Sequence, residues 1–334
     1  MTSRLLQWNG RPRTKDGWTL ELFRYSAPDR RDRSLKPLLI VPGYGMNSFI
    51  LAYHPRGVSL VEHLALDGFE VWTTNLRGQG GASRSHGEGS NGLGPIGLSP
   101  LARIDLPRVI EEIFALTESD RNEVDVIGCS LGGAIVYGYL AHEREAPVGA
   151  IVSMGAPLRW ERIHPLLRVA FASRRVAGAL KIRGTRSFAR VALPALRRVP
   201  GALSLYMNAK NIDLSNPEIL TQTVDDPSPE LNRELAEWFR TKDLHLDGLN
   251  VTEAIAGRPI PALAIIANAD GIVPKETVRS IERVLPSVDL LEVGDDRDWF
   301  AHADLFINDR ARELVFDPLG SWLRGKNGEP LGQT

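Results

Sequence analysis

Three residue types that together make an activated nucleophile occur in a fixed order along the 334-residue chain. Ser130 sits in Gly128-Cys129-Ser130-Leu131-Gly132, after the strand-like Val124, Val126 and Ile127 and before an apolar helical pattern. A sharp strand-to-helix turn strains the serine backbone, and flanking glycines let the two elements approach closely. The helix that follows brings its free N–H groups to the reacting centre. A serine hydroxyl is a weak nucleophile and needs a base held by an acid. Asp270 follows the apolar run Ala262–Ile266, and His302 is the only histidine beyond it, after the run Leu290–Val293. Ser, Asp, His, each after a strand-like run, is the order of a catalytic triad at the C-terminal strand ends of an open α/β sheet.

Each piece alone has a plainer reading. The serine could sit idle in a glycine-rich turn, and the Asp270-Gly271 pair could start a turn or cap the helix near Lys275. A lone histidine is most often a surface or core residue. The three together, in order, favour chemistry. Asp304 could hold a loop or cap a helix, while Asp295, Asp296 and Asp298 lie too close in sequence to His302 to suit the acid's role. An acyl-transfer site also needs N–H donors for the developing oxyanion. Leu38–Met46 reads as a buried strand ending in Pro42-Gly43-Tyr44-Gly45, which makes the N–H groups of Tyr44 and Leu131 the candidate donors. An ordinary strand-to-helix turn is the alternative.

These residues must be positioned by alternating strands and helices, which argue a mainly parallel sheet. Strands are expected near Pro37–Val41, Glu70–Thr74, Val124–Ile127, Ala150–Ser153, Ala262–Ile266 and Asp289–Val293. Trp18–Tyr25, with Leu5–Trp8, reads as an antiparallel lead-in. Helices are expected over Pro107–Leu116, Leu131–Ala141 and Lys275–Leu285. The alternation breaks between Leu158 and Arg258, a long helix-like insertion. The expected organisation is a core over 1–157 and 259–324, a helical cap over 158–258, and a flexible tail over 325–334. The cap's first half is basic and apolar, with nine Arg and Lys between Arg159 and Arg190. Amphipathic helices with solvated arginines are the favoured explanation. The other is a surface for anionic lipid headgroups or a substrate carboxylate. Trp160, Phe171, Tyr206, Met207 and Trp238 are candidates to line an apolar acyl pocket, although packing of the cap would explain them equally well. His245 and Asp247 read as polar surface.

Pro42-Gly43-Tyr44-Gly45, the Phe69–Ser83 strand and Arg77-Gly78-Gln79-Gly80 loop, the serine turn, and the late Asp and His together resemble the α/β-hydrolase superfamily, with serine esterase and lipase machinery. The likeness runs through nearly all of the chain. Pro42 stands where many members have His, and Asn75 where Asp is common. Gly57–Arg84, Asp105-Leu106-Pro107 and Phe300–Phe306 look most similar to acid lipases and polyhydroxyalkanoate synthases. The synthases use a cysteine nucleophile. Here Ser130 holds that position and Cys129 reads as a small residue packed beneath it.

Composition agrees with such an enzyme. Of the residues, 43% are hydrophobic, and the formal net charge of −1 leaves no basic surplus for nucleic acid. One cysteine cannot make an intrachain disulfide, and Met1–Arg13 lacks an uninterrupted apolar stretch, so a cytoplasmic location is expected. No stretch approaches the ~20 apolar residues of a membrane span. No cluster has metal-ligand spacing and no P-loop is present, so neither metal nor other cofactor is expected. The resemblance and the triad order imply a carboxylic-ester hydrolase acting on a small-molecule ester with an apolar acyl group. An acyltransferase or polyester synthase would use the same triad, and a non-catalytic binding protein of this fold is the further alternative.

Overall fold

A computed structural model of the protein describes residues 5–84, 95–179, 184–196, 198–199, 201–226 and 228–327. Its main sheet has strands β1 (Leu6–Gly10), β2 (Glu21–Ser26), β3 (Leu38–Val41), β4 (Val71–Asn75), β5 (Val124–Cys129), β6 (Val148–Met154), β7 (Ala262–Ala267) and β8 (Val288–Val293). They lie in the order β1-β2-β4-β3-β5-β6-β7-β8. β1 and β2 pair antiparallel, as do β2 and β4. The remaining pairs are parallel. The central strands read as near-continuous apolar runs, interrupted by Asp125 and Ser153, because both faces are covered. Their side chains alternate between two cores. Leu39, Val126, Ile151 and Ile266 point into one, and Leu38, Ile127, Val152 and Ile265 into the other.

Outside the insertion, α1 (Leu60–Leu66) and α2 (Leu106–Leu116) carry apolar faces, whereas α3 (Leu131–His142) is buried on ten of its twelve residues. A helix apolar all round belongs in a core. Between β6 and β7 come α4 (Pro165–Ala170), α5 (Arg174–Ala179), α6 (Thr185–Leu196) and α7 (Pro229–Thr241), with a two-residue hairpin His245–Leu246 against Leu249–Asn250 after them. Ser228 Oγ caps α7 by accepting from Leu231 N–H at 3.0 Å, and Pro229 opens its first turn. No helix among the described residues is long and apolar enough to cross a membrane.

Two local expectations change. Trp18–Thr19 does not continue β2 but pairs with Ser83–Arg84. The helix expected over Lys275–Leu285 is α-helical only over Lys275–Val278 and tightens to a 3₁₀ turn over Arg279–Arg283. Thr277 and Ser280 explain the break. Thr277 Oγ1 donates to Arg162 O at 2.8 Å, and Ser280 Oγ donates to Thr277 O at 2.7 Å while accepting from Arg159 N–H at 3.1 Å. Side-chain hydroxyls thus compete for the groups a regular helix would use.

The last helix, α8 (Asp317–Asn327), runs past the tail boundary expected at 325, while 328–334 lie outside the described residues. Buried Asn327 accepts from Lys36 N–H at 2.7 Å and donates to Asp125 Oδ2 at 2.9 Å. The other Asp125 oxygen faces Lys36 Nζ at 3.5 Å. Burial pushes the Asp125 carboxyl up to about 6, opposed by Lys36 and Asn327. Between the ordinary carboxylate range and pH 6 the folded protein therefore holds a proton that the unfolded chain has released. Stability falls as pH rises through that window and levels off above it. Asn327→Ala removes a bond to the charged form. We expect a loss of about 1–3 kcal/mol at pH 7 and a smaller loss near pH 4.5, read from urea unfolding at the two pH values.

Candidate active site

The turn after β5 places Ser130 in a left-handed conformation, φ 52° and ψ −124°. For a residue with a Cβ this costs about 1–3 kcal/mol and persists only where the surroundings impose it. They do so by close approach. A Cβ on Gly132 would lie 2.2 Å from Val41 O, and one on Gly128 would lie 2.4 Å from Gly133 Cα. Gly43 packs the loop after β3 onto the turn, since a Cβ there would come within 2.7 Å of Ser130 Cβ. Ser130 N–H donates to Met154 O at 2.9 Å, which fastens the turn to the end of β6. Cys129 beneath it is fully buried, and burial raises its thiol far above the ordinary range, so no thiolate competes with the serine.

Asp270 and His302 come together although 32 residues separate them. Nδ1 of His302 lies 2.7 Å from Asp270 Oδ2, both side chains being almost wholly buried. Asp270 Oδ1 accepts from the N–H groups of Ile272 and Val273, each at 2.8 Å, which fixes the carboxylate plane. The imidazole lies against Gly155, where a Cβ would sit 3.4 Å from the ring. Gly155 immediately follows Met154, the residue bonded to Ser130. Ser130 and His302 thus stand against successive residues at the end of β6, the strand between β5 and β7, and Asp270 pairs with His302. Asp295 and Asp298 are engaged elsewhere, Asp295 with the N–H groups of Arg297 and Asp298, and Asp298 with Arg310 and Asn211.

The loop after β3 is braced from the side. Gln79 Nε2 donates to Gly43 O at 3.0 Å, and Gln79 Oε1 accepts from Leu76 N–H at 3.0 Å. In a trans peptide the Tyr44 N–H points opposite to the Gly43 carbonyl, so Gln79 sets its direction. Among the described residues the Tyr44 N–H meets no acceptor. Leu131 opens α3, so its N–H has no acceptor within the helix. The phenol of Tyr44 bonds Asn232 of α7. Arg77, in the same loop as Gln79, is buried and forked onto Asp105, with Nη2 2.6 Å from Oδ1, and also pairs with Asp16 at 2.7 Å. The Arg-Gly loop and the Asp105-Leu106-Pro107 motif are therefore two halves of one contact. Asn75 accepts from Ser48 N–H at 2.7 Å and donates to Glu21 Oε2 at 2.8 Å. An aspartate there would face a second carboxylate, which accounts for the amide.

The insertion is stitched to all three loops. Leu205 O accepts from Gly271 N–H at 3.2 Å, beside the acid, and Tyr206 O accepts from Ala303 N–H at 2.8 Å, beside the histidine. Asp304 clamps the histidine loop by accepting from Ala301 N–H at 2.8 Å and Asn208 N–H at 2.7 Å. Burial pushes its carboxyl up to about 6 despite those donors. Asp225 N–H donates to Gly45 O at 2.9 Å, and Asn47 N–H to Thr223 O at 3.1 Å, beside Tyr44. Gln79 and Asn208 were not singled out by sequence. Only their positions, inside the Arg-Gly-x-Gly loop and next to Met207, hint at them.

The five pocket candidates divide. Tyr206 lies over the His302 ring, centroids 6.1 Å apart. Burial, with the Asp270 charge, pushes its phenol up to about 12. Tyr206 and Met207 line an apolar cavity of about 210 Å³ with Leu193, Leu203, Leu220 and Ile307. Trp160, Phe171 and Trp238 do not join them. Trp160 stands edge-on to Trp238 and Phe239, and Phe171 edge-on to Phe239, an aromatic knot that packs onto the main core. Trp238 also borders a polar cleft; neither its lining nor that of the cavity beside Tyr206 includes Ser130, Asp270 or His302, but only the latter is reached through a ring packed on His302. His245 is exposed, and Asp247 pairs with Arg103. Among the described residues no group of three or more His, Cys, Asp or Glu could hold a metal ion.

Comparison with known proteins places the fold. A thermophilic esterase from Thermogutta terrifontis superposes at TM-score 0.65 with 16% identity, covering 96% of this chain and 99% of that one. An esterase from Exiguobacterium antarcticum gives 0.62 at 15% identity, covering 95% and 100%. A bromoperoxidase from Bacillus anthracis gives 0.61 at 15%, covering 96% and 100%. Likeness at this identity is one of fold, and one fold hosts many chemistries. No curated protein matches the sequence significantly. The narrower resemblance to acid lipases and polyhydroxyalkanoate synthases goes beyond what these matches show. The family model described as alpha/beta hydrolase fold matches residues 36–302, well over half of the chain, and the protein belongs to that family.

Proposed function

We propose that the protein is a serine carboxylic-ester hydrolase whose triad is Ser130, His302 and Asp270, with residues 158–258 as its cap. The observation that carries this reading is the left-handed Ser130, bonded to Met154 O, with the buried His302–Asp270 pair, 2.7 Å apart, packed against the next residue, Gly155. Ser130 Oγ attacks the ester carbonyl as its proton passes to His302 Nε2. Asp270 holds the Nδ1–H tautomer and stabilises the imidazolium. The oxyanion rests on the N–H groups of Tyr44 and Leu131. Collapse expels the alkoxide, which takes the proton from His302. Water then attacks the acyl-enzyme with His302 as base, and the acid leaves. The cavity beside Tyr206 is the acyl site. Its lining is almost wholly apolar, so each methylene it buries adds about 0.8 kcal/mol, roughly fourfold in kcat/KM.

One observation keeps acyl transfer as a second reading. Ser130, Asp270 and His302 are all buried under the stitched insertion, and a site that excludes water favours an alcohol acceptor.

Hydrolysis of p-nitrophenyl esters from acetyl to palmitoyl tests the main reading. Ser130→Ala and His302→Ala should each lower kcat by about 10³-fold or more with unchanged circular dichroism, and Asp270→Asn by a similar or smaller factor. kcat/KM should climb with chain length until the cavity is full. Full activity in Asp270→Asn would remove it as the acid. No turnover at any length by the unaltered protein would count against hydrolysis.

Gln79 gives a second test, because it acts through the peptide it orients. Gln79→Met should lower kcat about 10–100-fold with KM little changed, the pattern of a lost transition-state interaction. A rise in KM alone would assign Gln79 to substrate binding.

A further inference from the structure

Large apolar side chains are buried almost everywhere except on the insertion. Of nine that stand exposed among the described residues, seven lie between Leu166 and Val199. Val169 on α4 is 73% exposed, and Phe188 and Val191 on α6 are 73% and 74% exposed. Helix α6 lines the apolar cavity beside Tyr206 with Phe188, Ala189, Ala192, Leu193 and Leu196, and Phe188 is nonetheless largely exposed. Its outward side sets Val191 among the exposed Arg186 and Arg190, an apolar side chain between cations.

Neighbouring grooves link four of the exposed residues, Leu166, Phe188, Leu196 and Val199. Leu166 shares a groove with Gly201, Ala202, Ser204 and the Asp270 loop. Leu196 and Val199 share the next with Gly201, Leu203 and Ser204. Leu196 and Leu203 also line the acyl cavity. The row therefore leads from α4 to the mouth of the proposed site.

Charge identifies what covers it. Residues 162–212 contain eleven Lys and Arg and no Asp or Glu, in a chain whose net charge is −1. Arg168, Arg175 and Arg198 are exposed, and none has a carboxylate partner among the described residues. Arg186 pairs with Asp225, and Arg190 stands 3.8 Å from the exposed Glu218. A second copy of the chain would bring like charge against like charge. Nucleic acid would satisfy the arginines but leave Val169, Phe188 and Val191 in water. An anionic bilayer surface answers both features, with phosphates for the arginines and the acyl boundary for the apolar side chains.

We propose that the α4–α6 face docks on anionic lipid bilayers. This does not rest on the hydrolase reading. The test is co-sedimentation of the full-length protein with vesicles of phosphatidylcholine alone, or with about one-third phosphatidylglycerol. The protein should pellet with the anionic vesicles and not the neutral ones, and high salt should weaken binding at least tenfold. The double variant Val169→Ser, Val191→Ser should weaken it at least tenfold, as should Arg168→Glu with Arg198→Glu. These are exposed side chains outside the triad and cavity, so turnover of water-soluble esters should not change. Ser130→Ala should bind like the unaltered protein, so loss of turnover and loss of docking are read separately. No pelleting, equal pelleting with neutral vesicles, or pelleting that the variants leave unchanged would overturn the proposal. So would a dimer in sedimentation equilibrium that the valine variants abolish, since the face would then belong to a second copy.

Discussion

The left-handed backbone at Ser130 is the constraint around which the site is arranged. An unfavourable conformation has to be imposed by contacts on several sides, and here they come from four directions. Val41 meets Gly132 at the end of β3, Gly133 folds back on Gly128, Gly43 presses on the serine itself, and Met154 takes its N–H. The same contacts fix the starting direction of α3 and bring the loop after β3 against the helix N-terminus. The glycines are spaced as they are because backbone must lie on backbone at those points.

Polar groups buried near this turn form a second layer of definition. Arg77 ties the Arg-Gly loop to Asp105 and Asp16, which lets Gln79 reach the Gly43 carbonyl. Asn75 bridges Glu21 and Ser48 beneath it. Asp304 does the same for the histidine loop. Such groups contribute modestly to net stability, but breaking one partnership leaves a buried charge or donor unmatched. They hold the direction of an N–H or a ring more firmly than apolar packing alone would.

The sequence was most legible where signals are local. The central strands announced themselves as apolar runs, the serine turn as a glycine-flanked motif, and Asp270 and His302 as residues following strands in order. Partnerships across long separations were not legible. Period and spacing say that Trp160, Phe171 and Trp238 are buried, but not that they face one another while Tyr206 and Met207 face the cavity. They mark Thr277 as a helical position, but not that Arg162, 115 residues earlier, takes its hydroxyl. Gln79 looked like the variable position of a loop motif, and its bond to Gly43 is a product of the fold.

The segment Leu205–Asn208 gives the acid loop and the histidine loop their hydrogen bonds at successive residues, while Thr223 and Asp225 hold the loop after β3. Strip this segment away and the two halves of the His302–Asp270 pair lose a common splint. In the proposed enzyme the insertion and the catalytic pair are thus mechanically coupled, because any shift of this one segment is felt by both loops at once.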